Sequence, residues 1–265
     1  FLLLRSKIIF VMGKPILNEL FETKNNHIEE VPIIDKEEFI KAVKSRRSVR
    51  NFTDEPVLEK DMRECLELTL LAPNSSNLQP WEFYWVRTME KKEKLISYCL
   101  GQPAASTAQE LVVAVARPDF WKVNQKRMLS LIDEMGEKAP KSVKKYYGRV
   151  VPLAYQQGLF SIRGYLKKIA MEIRGIKKPT PREPYNKKGM AVWAHKTTAL
   201  ACENFMLSLR AYGYDSCPME GIDSKRIKKL LNLKSPAEIS MVISAGKRAK
   251  NGVYGKQVRF KSSYF

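Results

Sequence analysis

The sequence predicts an α+β fold, and three observations support this. Residues 81–86 alternate in polarity and are rich in aromatic side chains, the pattern of a strand. Residues 111–116 form a short continuous apolar run, as in a central buried strand, and residues 239–245 form the last clear strand. Helical segments lie among these strands without regular βαβ alternation, which favours α+β over a doubly wound sheet.

The first helix is predicted by its N-terminal signals. Asp35 is a good N-cap, Glu38 completes a capping box, and Ile34 with Phe39 can form a hydrophobic staple. The helix should run to about residue 44, just before a cluster of arginines.

Three further helices follow from apolar spacing and end signals. Residues 58–71 have helical periodicity, and Asp223 should cap a short helix that runs through Leu231. A long helix over 194–212 should direct Leu200, Phe205 and Leu209 inward.

Composition excludes several classes of protein. The chain has 265 residues, of which 44% are hydrophobic and 28% charged, so it is neither disordered, collagen-like nor a coiled coil. With only two histidines a three-histidine metal centre is impossible, and no metal site is expected. The four cysteines form no C-x-x-C pair, which indicates reduced thiols and a cytoplasmic location.

The net charge of +19 is localised. Residues 117–190 hold 18 Lys and Arg against 6 Asp and Glu, which is +12 of that total. This stretch has no recognisable nucleic-acid motif, so a solvated basic surface is favoured over nucleic-acid binding. We interpret it as an insertion into a single domain over residues 35–265, because its apolar content is too low for an independent core.

Residues 1–34 are predicted to form an N-terminal arm. The apolar start is too short to span a bilayer and lacks a clean signal-peptide cleavage site, so we expect no transmembrane segment. Met12 is an alternative natural start, in which case residues 1–11 would not be native.

Arg46-Arg47-Ser48-Val49-Arg50 carries the first chemical signal. Three guanidinium groups and a hydroxyl lie within five residues, and arginine forks match phosphate oxygens. If this segment is extended, Arg46, Ser48 and Arg50 lie on one side and can surround a phosphate.

Three other segments complete the pattern. Residues 72–81 form a polar loop whose amides and hydroxyls suit the edge of a heteroaromatic ring. Residues 217–221 are predicted to form a tight turn, and residues 246–260 form a tail that includes Lys256-Gln257-Val258-Arg259. No G-x-G-x-x-G follows a strand, and no G-x-S-x-G occurs.

In this order, R-R-S-x-R, P-x-S-x-N-x-Q-P-W and P-M-E-G resemble the nitroreductase family of FMN-dependent oxidoreductases, over about residues 36–260 apart from the insertion. The resemblance implies a mostly antiparallel central sheet flanked by helices and an intertwined homodimer with FMN at the subunit interface. It also implies two-electron transfer from NADH or NADPH, ping-pong through the flavin, to an electron-poor acceptor such as a nitroaromatic or quinone.

The resemblance also assigns residues to the cofactor. In the family, one segment holds the FMN phosphate and ribityl chain. The residues of this sequence that match it are Arg46, Arg47, Ser48 and Arg50. Arg50 is also expected to act electrostatically at the pyrimidine edge. The residues matching the loop from the partner subunit are Pro73, Asn74, Ser75, Asn77 and Gln79.

The turn against one ring face corresponds to Pro218, Met219, Glu220 and Gly221, and the backbone of Glu220 and Gly221 should lie near N5. Gln257 and Arg259 match tail residues that return to the phosphate, and Gln102 matches a flavin-edge amide at looser spacing. No side chain is expected to act as a nucleophile.

Two alternatives stay open. The scaffold could support another flavin reaction, such as reductive dehalogenation or oxygen-dependent chemistry, or the protein could bind FMN or a polyanion without catalysis. The insertion departs from the family pattern, and we expect it to form a lid with Trp121, Tyr146, Tyr147 or Trp193 lining the acceptor pocket.

Overall fold

The computed structural model describes residues 30–136, 139–158 and 161–264. The predicted N-terminal arm therefore lies almost wholly outside the described residues. The chain divides into two compact units, a sheet unit that comprises residues 34–119 and 191–264 and a helical unit built on residues 120–190. Within these described ranges, no helix is long and apolar enough to cross a membrane.

The described elements have the following bounds. In chain order they are α1 (Lys36–Ser45), α2 (Glu59–Thr69), β1 (Trp81–Trp85), α3 (Met89–Tyr98), α4 (Pro103–Ser106), β2 (Glu110–Ala116), α5 (Phe120–Glu134), α6 (Lys141–Lys145), α7 (Val151–Tyr155), α8 (Ile162–Gly175), α9 (Lys187–Ala211), β3 (Asp215–Met219), α10 (Ser224–Leu230) and β4 (Glu238–Gly246).

The four strands form one sheet in the order β1-β2-β4-β3, and each neighbouring pair is antiparallel. Strand β2 aligns Ala116 with Trp81 on one side and Glu110 with Ala245 on the other. Strands β1 and β3 are thus the outer edges. A parallel bridge between Ser48 and Ser216 joins residues 46–50, the arginine-rich segment, to the outer edge of β3.

Both faces of the central strands are buried, and the two faces carry alternate residues of β2. Val113 and Val115 pack in one cluster with Leu95 and Ile227, on the face covered by α3 and α10. Val112 and Ala114 pack in another cluster, on the face covered by α2 and α9. This two-sided burial explains why β2 is a continuous apolar run.

Most predicted elements are confirmed, with shifted ends. The Asp35 carboxylate accepts hydrogen bonds from the amides of Glu37 (2.8 Å) and Glu38 (3.2 Å), so α1 begins where predicted. The proposed staple residues Ile34 and Phe39 are exposed, because α1 buries none of its residues in this chain. The long helix α9 starts at Lys187, seven residues before the predicted start.

Two details of the prediction are wrong. Leu200 is half exposed although Phe205 and Leu209 are fully buried, because the buried face of α9 is formed by Ala201, Phe205 and Leu209. Residues 215–219 form strand β3, so the predicted turn at 217–221 begins only after Met219.

The helical unit combines buried apolar residues with polar contacts between its segments. Its buried residues include Tyr147, Val151, Tyr155 and Met171. The Gln125 side-chain amide donates to the carbonyl of Tyr147 over 2.8 Å. The Lys167 amine donates to the carbonyls of Ala154 (2.6 Å) and Pro184 (2.7 Å) and so ties separate stretches together.

Candidate functional site

The segment Arg46–Arg50 is extended and runs beside the outer edge of β3. It leaves α1 at Arg46, whose φ of −61° and ψ of 128° end the helix. The Val49 amide donates to the carbonyl of Ser216 over 3.0 Å, and the Val49 side chain is fully buried. Because side chains alternate along extended backbone, Ser48 and Arg50 lie on the opposite side from Val49.

The C-terminal tail packs against this segment. The Arg50 amide donates to Gly252 (2.7 Å), and the Arg47 guanidinium donates to the carbonyl of Gly255 (2.6 Å). A Cβ at position 252 would lie 2.7 Å from the carbonyl oxygen of Asn51, so only glycine permits this approach.

Of the two predicted tail residues, neither shows a bond to the arginine-rich segment. Arg259 donates to the carbonyl of the preceding Val258 (2.7 Å), and both Gln257 and Arg259 are exposed.

The end of β3 lies close to the same arginines. The arginine-rich segment is joined to Ser216 by a backbone bridge, and Cys217 follows Ser216. Burial raises the pKa of the Cys217 thiol, and the charges of Arg50 and Arg46 act in the opposite direction. Cys217 itself is fully buried, as expected for a small packing residue. Pro218 and Met219 continue the strand, and Glu220 and Gly221 form the turn that follows.

Gln102 is joined to this turn. Its side-chain amide donates to the carbonyls of Gly221 (2.9 Å) and Cys99 (3.0 Å). The Gln102 assignment rested on loose spacing, and the structure brings this amide to the P-M-E-G segment.

A buried carboxylate that sequence reasoning missed anchors these pieces. Asp215, at the start of β3, accepts from Arg248 (2.5 and 3.1 Å) and pairs with Arg210 (2.9 Å). Arg248 also donates to the carbonyl of Ser45 at the end of α1 (3.2 Å). The available sequence signal for this ion pair was Arg248, which lies two residues after β4. Arg248 belongs to the predicted tail, but no role was predicted for it.

The arginines are only partly neutralised. The Nε of Arg46 lies 3.8 Å from an Oε of Glu203, a distance that permits electrostatic attraction but exceeds a hydrogen bond. Glu203 is half exposed, so solvent screens the pair. Glu203 therefore cancels little of the positive charge on Arg46.

The polar loop at 73–79 is not brought to this site within one chain. Asn74 accepts from the amide of Gln79 (2.8 Å), and Asn77 accepts from the Gln79 side chain (3.2 Å). The loop precedes β1, at the opposite edge of the sheet from Arg46–Arg50, so four strand spacings of about 4.8 Å separate the two across the sheet. Both faces of the strands between them are covered by packed side chains.

The four aromatic residues proposed to line an acceptor pocket differ in exposure. Tyr147 and Trp193 are buried, so they are not surface groups, whereas Trp121 and Tyr146 are half-buried. Trp121 stacks on Tyr155, with ring centroids 6.4 Å apart. The lid stays a prediction. Among residues 30–136, 139–158 and 161–264 no cluster of three His, Cys, Asp or Glu side chains could hold a metal ion.

Comparison with known proteins decides the family. The sequence model described as the nitroreductase family matches residues 43–247, most of the chain. The chain belongs to the nitroreductase family.

Individual relatives are distant. A Staphylococcus haemolyticus protein whose name describes an NAD(P)H nitroreductase is 28% identical over 74% of this chain and 79% of its own length. A Thermus thermophilus protein named NADH dehydrogenase is 27% identical over 84% and 91% of the two chains. A nitroreductase of Exiguobacterium sibiricum, solved in complex with FMN, shares the fold with a TM-score of 0.62 and 23% identity, over 89% of this chain and 98% of that one.

The residues of this nitroreductase fit a phosphate-bearing flavin. Three guanidinium groups and the Ser48 hydroxyl supply charged and neutral donors along one extended segment. Beside them, the Oγ of Ser216 is buried and has no hydrogen-bond partner among the described residues. An unpaired buried hydroxyl next to a row of cations is the kind of group that a bound anion would satisfy.

Proposed function

We propose that this chain is an FMN-dependent oxidoreductase that passes two electrons from NADH or NADPH to an electron-poor acceptor, such as a nitroaromatic or quinone, in a ping-pong scheme. The observation that carries the proposal is the convergence of Arg46–Arg50, the end of β3, Gln102 and Gly255 at one edge of the sheet. The names of the relatives support the electron donor, and the FMN complex of a structural neighbour supports the cofactor.

The arginine-rich segment would hold the phosphate. Arg46 and Arg50 are half-buried, so their charges are less screened than those of exposed side chains. Arg47 commits one nitrogen to Gly255 and thereby fixes the tail against the segment. When bound, FMN would supply the redox chemistry itself.

Orientation of the ring would fall to the turn after β3. The Gln102 bond to Gly221 holds that turn against α4, since Gln102 immediately precedes this helix. Arg50 lies within electrostatic range of the same strand and would stabilise negative charge at the ring edge. No side chain is required to act as a nucleophile and form a covalent bond.

The site requires a second chain if the loop at 73–79 also contacts the flavin. Within one chain the loop and the arginine-rich segment lie at opposite edges of a sheet whose faces are covered. In a homodimer, the β1 edge of one subunit could lie against the arginine-rich edge of the other. The loop of one subunit would then contact the arginines of its partner. The exposed apolar residues of α1, Phe39 and Val43, support such an interface.

The compartment proposed is the cytoplasm. All four cysteines are free and buried, which supports a reducing environment.

Spectroscopy and steady-state kinetics test the cofactor and the reaction. The purified protein should be yellow, release FMN on denaturation, and bleach with anaerobic NAD(P)H. Varying NAD(P)H at several concentrations of a nitroaromatic should give parallel double-reciprocal lines. Release of FAD, or bleaching by NAD(P)H without turnover of any nitroaromatic or quinone, would contradict the cofactor or the reaction respectively.

Complementation between two inactive variants tests the shared site. Arg46→Ala with Arg50→Ala removes two of the proposed phosphate ligands, whereas Asn77→Asp alters the loop and keeps a residue type that tolerates its φ of 47°. Coexpression should restore about a quarter of the sites, because half of the dimers are mixed and each regains one site. No recovery in dimers shown by mass spectrometry to be mixed would refute the two-chain site.

A further inference from the structure

Helix α8 displays an apolar stripe to solvent. Six large apolar residues at helical spacing are each more than half exposed: Ile162, Tyr165, Leu166, Ile169, Ile173 and Ile176. At 3.6 residues per turn they occupy one face about 100° wide. Isolated exposed apolar residues are ordinary in soluble proteins, but six in register form a patch.

The stripe points away from the residues that α8 packs against. Gly164 and Met171 are buried on the opposite face of the helix. A Cβ at Gly164 would lie only 1.7 Å from the carbonyl oxygen of Tyr185, so the chain passes directly over that face. Lys167, also away from the stripe, is tied to the carbonyls of Ala154 and Pro184. An amphipathic helix normally buries its apolar face, and α8 has the reverse arrangement.

Positive charge flanks the stripe. Arg163, Lys177 and Lys178 are exposed near its two ends. The one acidic residue of the helix, Glu172, pairs with Arg182 at 3.1 Å. The insertion as a whole has 18 basic and 6 acidic residues. An apolar stripe bordered by cations is the pattern of a helix that lies in the surface of an anionic membrane.

We propose that α8 docks this nitroreductase on an anionic lipid bilayer, with the stripe in the acyl boundary and the flanking cations at the headgroups. Charge disfavours contact between the stripes of two copies of the chain. A two-fold contact between stripes would bring Arg163 and Lys177 of both copies together, and like charges repel. A bilayer that contains anionic lipid supplies the opposite charge.

Vesicle flotation of the protein tests the proposal. The protein should float with vesicles of phosphatidylcholine and phosphatidylglycerol and much less with phosphatidylcholine alone. Leu166→Gln with Ile173→Gln should weaken partition about tenfold or more, because two apolar side chains no longer enter the bilayer. The matched control is Val123→Gln with Leu131→Gln, exposed apolar residues on α5, which should partition like the unmodified protein.

A dye placed on the helix reports which face enters the lipid. The four natural cysteines are buried, so a thiol introduced on the surface can be labelled selectively. A polarity-sensitive dye at Ile173→Cys should shift to the blue with anionic vesicles. The same dye at Glu172→Cys, the adjacent exposed position off the stripe, should shift much less.

Three results would overturn the proposal. One is no flotation with anionic vesicles. Another is flotation that the stripe variant retains, which would mean non-specific attraction to the basic surface. The third is the absence of lipid binding together with dissociation of an oligomer when the stripe is substituted. That result would mean that a second copy of the chain covers the stripe. FMN content and NAD(P)H oxidation are separate readouts, so failure here leaves the proposed function standing.

Discussion

The two units of this chain are stabilised in different ways. In the sheet unit, large side chains such as Phe205, Leu111 and Ile243 are completely removed from solvent. In the helical unit, much of the apolar surface lies outside, whereas polar groups such as Gln125 and Lys167 are tied to carbonyls inside. Complete burial of large apolar side chains therefore stabilises the first unit, and hydrogen bonds such as those of Gln125 and Lys167 contribute to the second.

The comparison explains where a ligand site can be held rigidly. The arginine-rich segment is attached to a strand whose neighbours are fully packed, and rigid elements position binding groups more precisely than loops. The helical unit is better suited to surface contacts. Substitutions that affect one unit and spare the other test this division.

The largest effect is expected from Asp215→Asn in the sheet unit. Asp215 is almost fully buried between Arg248 and Arg210, and removal of its charge leaves two cations without their partner. We expect a loss of about 3 kcal/mol in the free energy of unfolding. Urea denaturation measures it, and Asp133→Asn, which removes an exposed partner of Lys144, is the control that should change little.

Next in size is Gly164→Ala in the helical unit. The added methyl group would overlap the backbone of Tyr185, so we expect a loss of about 1–3 kcal/mol. Hydrogen exchange should accelerate in residues 120–175 and not in the sheet strands. Gly148→Ala is the matched control, because its Cβ would meet nothing within 4 Å. Equal acceleration in both units would show that they unfold together.

Arg46→Ala should weaken FMN binding about tenfold or more, since one charge-assisted bond to phosphate contributes about 1.5–3 kcal/mol. Equilibrium dialysis or fluorescence quenching measures the dissociation constant. Arg63→Ala removes an exposed arginine of the same unit that bonds to Glu59, and it should leave FMN affinity unchanged. Equal affinity in both variants would remove Arg46 from the site.

The last effect concerns pH. Burial lowers the pKa of Lys167 to about 8 from 10.5, and Glu183 opposes this shift. Between these two values the unfolded chain holds more protons than the folded chain, so the stability of the helical unit should rise with pH across that window. Lys167→Met should flatten this slope in hydrogen exchange, whereas Lys168→Met should retain it.

The sequence predicts the sheet unit better than the helical unit for physical reasons. Two-sided burial makes β2 a continuous apolar run, and the Asp35 cap is a local signal that the structure confirms. Strand β3 was missed because it is an edge strand that contains Asp215 and Pro218, residues that disfavour strands and are tolerated where the ladder is open on one side.

The site was only partly predictable for a related reason. The R-R-S-x-R motif is a local pattern, so its extended conformation could be anticipated. The ion pairs of Asp215 with Arg210 and Arg248 join residues far apart in sequence, and no periodicity reports such contacts. Gln102 showed the same difficulty, since its bond to Gly221 spans 119 positions.

The bridge between Ser48 and Ser216 has a consequence for solubility. An unpaired strand edge offers amides and carbonyls to any other extended chain, which leads to aggregation. Residues 48 and 49 occupy this edge of β3 by backbone bonding, independently of their side chains. The backbone at Arg46–Arg50 thus shields the sheet while Ser48 and Arg50 lie on the opposite side from the buried Val49. Substitutions that keep the segment extended can change ligand binding without exposing the edge of β3. Val49→Pro would remove the amide bonded to Ser216 and leave that edge open to pairing with other extended chains.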